Sequence, residues 1–175
     1  TSYQFTVPRS ENNCMTEKEY NSCVDDYADA VYRFILKNIR HEEDARDIVQ
    51  SAFEKMWVNR EQVNSATAKS YLFTVAYNQM IDHIRKSKRI ELREEFEEGS
   101  KVAGQIILAF KRDLEKALSQ LTPLQRSLIL LKDLEGYTYE EIGRITALNP
   151  SQVKVYLHRA RLQLKEIVGK PENIV

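Results

Sequence analysis

The chain has 175 residues, 42% hydrophobic and 30% charged, with 26 Lys and Arg balanced by 26 Asp and Glu. That length suits one ordinary domain or two small ones, and the composition excludes a disordered or membrane-embedded protein. The zero net charge argues against a protein that grips DNA unaided, because surplus Lys and Arg supply most non-specific affinity for phosphate.

No apolar run approaches the length of a bilayer span, so no membrane insertion is expected. The opening "TSYQFTVPRSENN" lacks the charged-then-apolar order of a secretion signal. The two cysteines, Cys14 and Cys23, match no metal-ligand spacing and read as reduced thiols of a cytoplasmic protein. Scarce glycine and proline (5 and 4) favour long helices.

Residues 1–15 show no periodicity and read as a flexible arm. "TEKE" at Thr16 then has the capping-box form, a hydroxyl followed three residues later by a carboxylate. Tyr20, Cys23, Val24, Tyr27, Val31, Phe34 and Ile35 recur at helical steps behind it and predict a helix to about Ile39. A second helix follows the turn near His41. Its apolar stripe is Ala45, Ile48, Val49, Ala52, Phe53, Met56 and Trp57, and its opposite face is acidic. A third helix is predicted from about Ala68 to Lys86, with Tyr71, Leu72, Val75, Ala76 and Ile84 on its apolar side and "RKSKR" at its end. Three such stripes make one bundle, spanning 16–89.

"IELREEFEEGSKVAGQ" has a poor apolar pattern, so 90–105 reads as an acidic, flexible interdomain linker. The second domain, 106–175, opens with a helix marked by Ile107, Phe110, Leu114, Ala117, Leu118 and Leu121. Three more starts follow: "TPLQ" at Thr122, "TYEE" at Thr138 and "NPSQ" at Asn149, two with proline at the first helical position. The fold class is therefore all-α, two small helical domains.

"TYEEIGRITALNPSQVKVYLHRARLQL" has the form of a helix-turn-helix, although Ala147 stands where the tight turn often holds glycine. The last helix would then enter the major groove with Ser151, Gln152 and Val155 near base edges. Gln152 is suited to a bidentate pair with adenine, worth about 1–3 kcal/mol of discrimination. Lys154, His158, Arg159 and Arg161 would lie along phosphates, positioning without specifying. A helical hairpin with a solvated basic face gives the same local pattern.

With both halves considered, the chain resembles the bacterial RNA polymerase sigma factors of the minimal, extracytoplasmic-function (ECF, group IV) type. "EEDARDIVQSAFEKMW" looks like the family's core-polymerase-binding helix, and "SYLFTVAYNQMIDHIRKSKR" like its promoter-melting helix, matching at Leu72, Ala76, Asn78, Asp82 and Arg85. "EGYTYEEI" and "VKVYLHRAR" match its region four. Four positions depart from the family pattern: Ser51 in place of an acid, Tyr77 in place of a basic residue, and Val155 and Tyr156 in place of a Ser-Arg pair.

The resemblance implies that Asp44, Asp47, Gln50 and Glu54 bind core RNA polymerase. Arg85, Lys86, Lys88 and Arg89 would hold phosphates of the -10 element of promoter DNA, while Tyr71, Asn78 and the polar loop 59–70 catch an extruded base. Aromatic stacking is worth about 1–3 kcal/mol per base, against a few kcal/mol for extrusion. The acidic run Glu91 to Glu98 resembles the segment that relatives thread through the polymerase. The helix-turn-helix would read the -35 element, and an anti-sigma factor is a further expected partner. The neutral charge then makes sense: acids meet the enzyme, bases meet the promoter, and the polymerase supplies the general DNA affinity.

The competing reading is a polymerase-independent helix-turn-helix regulator binding duplex DNA as a dimer; a helical adaptor is a third. No enzyme activity, cofactor or metal is expected, since His41, His83 and His158 lie far apart and no phosphate-loop or nucleophile motif occurs.

Overall fold

The computed structural model describes residues 14–91 and 107–169. They form seven α-helices in two domains, and no strand occurs among the described residues.

α1 (Glu17–Ile39) begins at the Thr16 capping box. Thr16 Oγ1 accepts from the Glu19 N–H, and the Glu19 carboxylate accepts from the Thr16 N–H. The Thr16 N–H and then the Thr16 hydroxyl, both donating to the Glu19 carboxylate, hold that carboxyl below its ordinary pKa range. The helix stops at Arg40 in the left-handed region (φ 57), and α2 (Glu42–Val58) leaves directly, capped by His41 Nδ1 on the Asp44 N–H. So short a connection forces α1 and α2 to pack as neighbours. α3 (Ala68–Glu91) closes the bundle over a core of Val31, Phe34, Ile35, Ala45, Ala52, Met56 and Leu72. Met15, which the sequence leaves in the arm, is buried, and its N–H donates to the Arg60 carbonyl.

α3 departs from expectation in two ways. It runs on to Glu91, so "RKSKR" lies within the helix. It also buries Phe73, Tyr77 and Met80, none of which falls on the predicted stripe. One cause is a second contact face, because the C-terminal domain packs against α3 as well. Trp57 and Leu114, by contrast, sit on predicted stripes yet stay partly exposed, at 37% and 42%. Trp57 instead meets the Tyr20 ring in an edge-type contact (centroids 5.0 Å), and the Arg60 guanidinium lies over the Trp57 ring (4.5 Å).

The C-terminal domain consists of α4 (Ile107–Ser119), α5 (Pro123–Ile129), α6 (Tyr139–Thr146) and α7 (Pro150–Val168), with α5 running into a wide π-helical turn over Leu130–Leu134. All three predicted starts carry complete capping boxes, at Thr122, Thr138 and Asn149. The expected linker lies, from residue 92 on, outside the described residues, as do arm residues 1–13 and tail residues 170–175.

Ala147 takes the left-handed turn itself (φ 59), a conformation that costs an L-residue about 1–2 kcal/mol. Glycine is needed one turn earlier. A Cβ on Gly143 would stand 2.5 Å from the Leu148 carbonyl oxygen, where the chain folds back over α6. Gly143→Ala is therefore expected to lower stability by about 1–3 kcal/mol, the usual cost of overpacking, as a fall in the urea midpoint at unchanged slope.

The two domains touch. α3 packs on α6, and α1 meets α5. Asn38, at the end of α1, is buried, and its Oδ1 accepts from Arg126 Nε (3.1 Å) and Ser127 Oγ (3.2 Å). Arg126 is itself buried; desolvation, then the nearby Arg40 charge, pull its pKa below the usual arginine range. Arg40 donates to the Glu115 carbonyl. Phe73 sits between Phe34 (5.6 Å) and Tyr137 (5.2 Å), and Lys69 caps the Tyr137 ring at 4.8 Å.

Candidate nucleic-acid interface

Three charged surfaces emerge from this scaffold. On α2, Asp47, Gln50 and Glu54 follow one another at helical steps along the exposed side, and Gln50 Nε2 donates to Glu54 Oε1 at 3.2 Å. Asp44 does not share their freedom. Its Oδ2 lies 3.3 Å from His83 Nε2, which ties α2 to α3, and 3.1 Å from His41 Nδ1, the nitrogen that accepts the Asp44 N–H; His41 and His83, expected to lie far apart, thus flank one carboxylate. Gln50 and Glu54 also line an open groove of about 530 Å³ between α1 and α2, walled by Tyr20, Val24, Tyr32 and Phe53. The sequence placed Tyr20, Val24 and Phe53 on apolar stripes and said nothing of Tyr32. The signal for that wall was an excess of tyrosines on α1, amphipathic side chains that suit a half-wet surface.

Ser51 and Tyr77, two departures from the family pattern, have local explanations. Ser51 Oγ accepts from Gln79 Nε2 at 3.0 Å, joining α2 to α3. Tyr77 is buried, and its desolvated phenol is pushed up in pKa.

The second surface is the far end of α3. Arg85, Lys86, Lys88 and Arg89 are all exposed there, and Arg85 makes one loose ion pair with Asp82 (3.8 Å). Lys88 and Arg89, in the last turn, also favour the backbone dipole, by about 0.3–1 kcal/mol each. Asn78 is exposed on the same helix. Tyr71 is half-buried, and its hydroxyl accepts from Asn59 Nδ2 (3.0 Å) and donates to the Lys55 carbonyl (3.4 Å). It pins the loop that leaves α2, while the loop residues Glu61, Gln62, Ser65, Ala66 and Thr67 stand exposed.

The third surface is α7. Val153, Leu157 and Ala160 are buried, which turns Ser151, Gln152, Lys154, Val155, His158, Arg159 and Arg161 outward. Not all are equally available. Gln152 Oε1 accepts from the Asn149 N–H at 3.0 Å, closing the capping box and occupying part of the amide that an adenine pair would use. Lys154 lies over the Tyr139 ring at 5.2 Å, with Lys132 also on that ring at 4.7 Å. Arg161 directs its fork at both carboxylate oxygens of Asp133, and that bonding raises its pKa further. Val155, His158 and Arg159 have no such ties among the contacts described.

Two family models match: Sigma-70 region 2 over residues 23–90 and Sigma-70, region 4 over residues 111–164. RNA polymerase sigma factor SigV of Bacillus subtilis is 31% identical over 154 residues, which cover 87% of this chain and 92% of that one. ECF RNA polymerase sigma factor SigE of Mycolicibacterium smegmatis is 28% identical over 159 residues, 86% of this chain but 62% of that longer relative. Among solved structures, the sigma factor RpoE in complex with the anti-sigma factor NepR from Bartonella quintana superposes with a TM-score of 0.73 at 25% identity, over 88% of this chain and 99% of that one. CnrH in complex with the cytosolic domain of CnrY shares the fold, at a TM-score of 0.66 and 20% identity over 87% and 89% of the two chains. With both region models matched in order, and a relative above 30% identity aligned over nearly its whole length, the chain belongs to the RNA polymerase sigma factors of the extracytoplasmic-function type.

Proposed function

We propose that this chain binds core RNA polymerase through the outer face of α2, melts the -10 element with α3 and its adjoining loop, and reads the -35 element with α7. The observation that carries this is the segregation of charge. Exposed acids line α2, exposed bases end α3 and face outward from α7, and the two DNA-facing surfaces lie in different domains. Core contact is assigned to Asp47, Gln50 and Glu54, with Asp44 holding α2 against α3. Readout at -35 centres on Ser151, Val155, His158 and Arg159. Acting with polymerase places the protein in the cytoplasm. An anti-sigma factor is proposed as its regulator, as in the solved complex of the Bartonella relative.

Run-off transcription with core polymerase tests the reading: discrete promoter-dependent transcripts are expected only when this chain is added. Tight binding of the chain alone to a palindromic duplex, without any effect on core, would instead identify a free-standing dimeric regulator.

Salt dependence separates the α7 cations. Arg159→Ala is expected to reduce the slope of log affinity against log salt for holoenzyme on promoter DNA by about 1, the signature of one lost phosphate contact. Arg161→Ala should leave the slope nearly unchanged, because its charge is already paired with Asp133.

A further inference from the structure

Val155 is the odd member of the outward side of α7. Successive helical residues turn by about 100°, so the buried residues Leu157, Ala160 and Ile167 all fall within about 40° of Val153. Val155 lies at about 200° from Val153, almost opposite that stripe. Ser151 (about 160°) and Arg159 (about 240°) stand one turn to either side of it, and His158 lies at about 140°. Among these polar and cationic neighbours Val155 is an apolar side chain left 47% exposed.

A single exposed valine is ordinary on a protein surface; this one's place is not. The side of a recognition helix that faces away from its own domain enters the major groove, and the residues near its N-terminus meet the base edges. Val155 occupies the second turn of α7, at the middle of that side. Its longer neighbours are drawn aside. Lys154 lies over the Tyr139 ring, the Gln152 amide oxygen is held by the Asn149 N–H, and Arg161 is bonded to Asp133.

The chemistry of valine narrows what it can read. It offers neither donor nor acceptor, and β-branching on a helix holds it close to one χ1 rotamer. Pressed on a polar base edge, it would strip water from groups and leave them unpaired, which is costly. In the major groove one base alone presents an apolar group, the C5-methyl of thymine. Ser151 lies about 6 Å earlier along the helix axis, less than two base-pair steps of about 3.4 Å, so the two side chains serve neighbouring pairs.

We propose that Val155 reads a thymine in the -35 element through its 5-methyl group, and that this contact, not a hydrogen bond, sets the preference at that base pair. It rests on the sigma-factor reading of α7, and the test keeps the two apart.

Duplexes with a randomised upstream element are selected in two ways: by transcription with core polymerase plus the full chain, and by binding to the full chain alone. Each thymine of the selected element is then replaced by deoxyuridine, which deletes the methyl and nothing else. At one thymine this should weaken binding about fourfold, the loss of about 0.8 kcal/mol for one buried methyl-sized group at 1.4 kcal/mol per factor of ten. At the same position 5-methylcytosine should bind better than cytosine. Val155→Ser, a change at an exposed site, should no longer distinguish the thymine and uracil duplexes there, while responding like the wild type to uracil elsewhere; the two changes form a double-mutant cycle. A selected element with no methyl-sensitive thymine overturns the proposal. So does a sensitive thymine that stays equally sensitive in Val155→Ser, since the methyl then meets another side chain. If the chain gives no transcripts with core but still selects a duplex alone, the sigma-factor reading fails, and the uracil scan on that duplex still decides the role of Val155. Selection of no duplex by either route overturns both.

Discussion

Alanine at both Asp47 and Gln50 is expected to weaken binding to core polymerase by about a hundredfold while leaving the fold intact. Truncating partners of interfacial charged contacts commonly costs about 2–5 kcal/mol where the contact is desolvated and far less at a rim. Two adjacent truncations on one face therefore total about 3 kcal/mol, or roughly two powers of ten in dissociation constant. Both residues are exposed, and surface changes of this kind usually move stability by no more than about 0.5 kcal/mol. Gln50 loses one hydrogen bond, to Glu54, which frees a second carboxylate without unpacking anything. Asp44→Ala is the informative contrast. It abandons His41 and His83, so it should loosen the α2–α3 junction and change core affinity much less than the double variant. Competition with a labelled wild-type chain for core, read by anisotropy, checks all three. Equal affinity of the double variant and the wild type would remove α2 from the interface.

What the sequence disclosed was local. Each helix start with a hydroxyl or amide followed three residues later by Glu or Gln is a start in the structure, because a capping box is a contact between residues three apart and needs no tertiary context. The buried side of α7 is local in the same sense: Val153, Leu157 and Ala160 recur at three- and four-residue steps. α3 was misread because it has two partner sides. Phe73 and Tyr77 look like spare aromatics until Tyr137, more than 60 positions away, arrives against Phe73. Nothing local to α3 announces such a neighbour. The candidate site shows the same division. The outward direction of Asp47, Arg159 and Val155 follows from periodicity alone. The withdrawal of Asp44, Gln152 and Arg161 into internal bonds depends on where His83, the Asn149 N–H and Asp133 fall. The Asn149 bond is half of the capping box that "NPSQ" predicts, and it competes with the adenine pair that the same Gln152 suggests; the other two depend on residues distant in sequence.

Phe73→Ala should be the most destabilising single substitution among those considered, at about 3–5 kcal/mol, the usual cost of deleting a buried phenylalanine. Its side chain is fully buried, and the aromatic pairs it forms with Phe34 and Tyr137 add about 0.5–1.5 kcal/mol each beyond area. Against a typical domain stability of 5–15 kcal/mol, that is a large fraction. The effect should also be unevenly distributed. Because Phe73 touches α1 on one side and Tyr137 on the other, its loss removes both core packing and the aromatic half of the docking contact. Trp57, the single tryptophan, reports on the N-terminal bundle by fluorescence, while hydrogen exchange in α6 and α7 reports on the C-terminal domain. In the wild type the two probes should lose structure together in urea. In Phe73→Ala the tryptophan transition should move to lower urea while α6 and α7 hold their own midpoint, and Phe73→Leu should restore much of the stability with less of the coupling. A loss below about 1 kcal/mol, with the two probes still coincident, would mean that Phe73 joins neither the bundle nor the two domains as described.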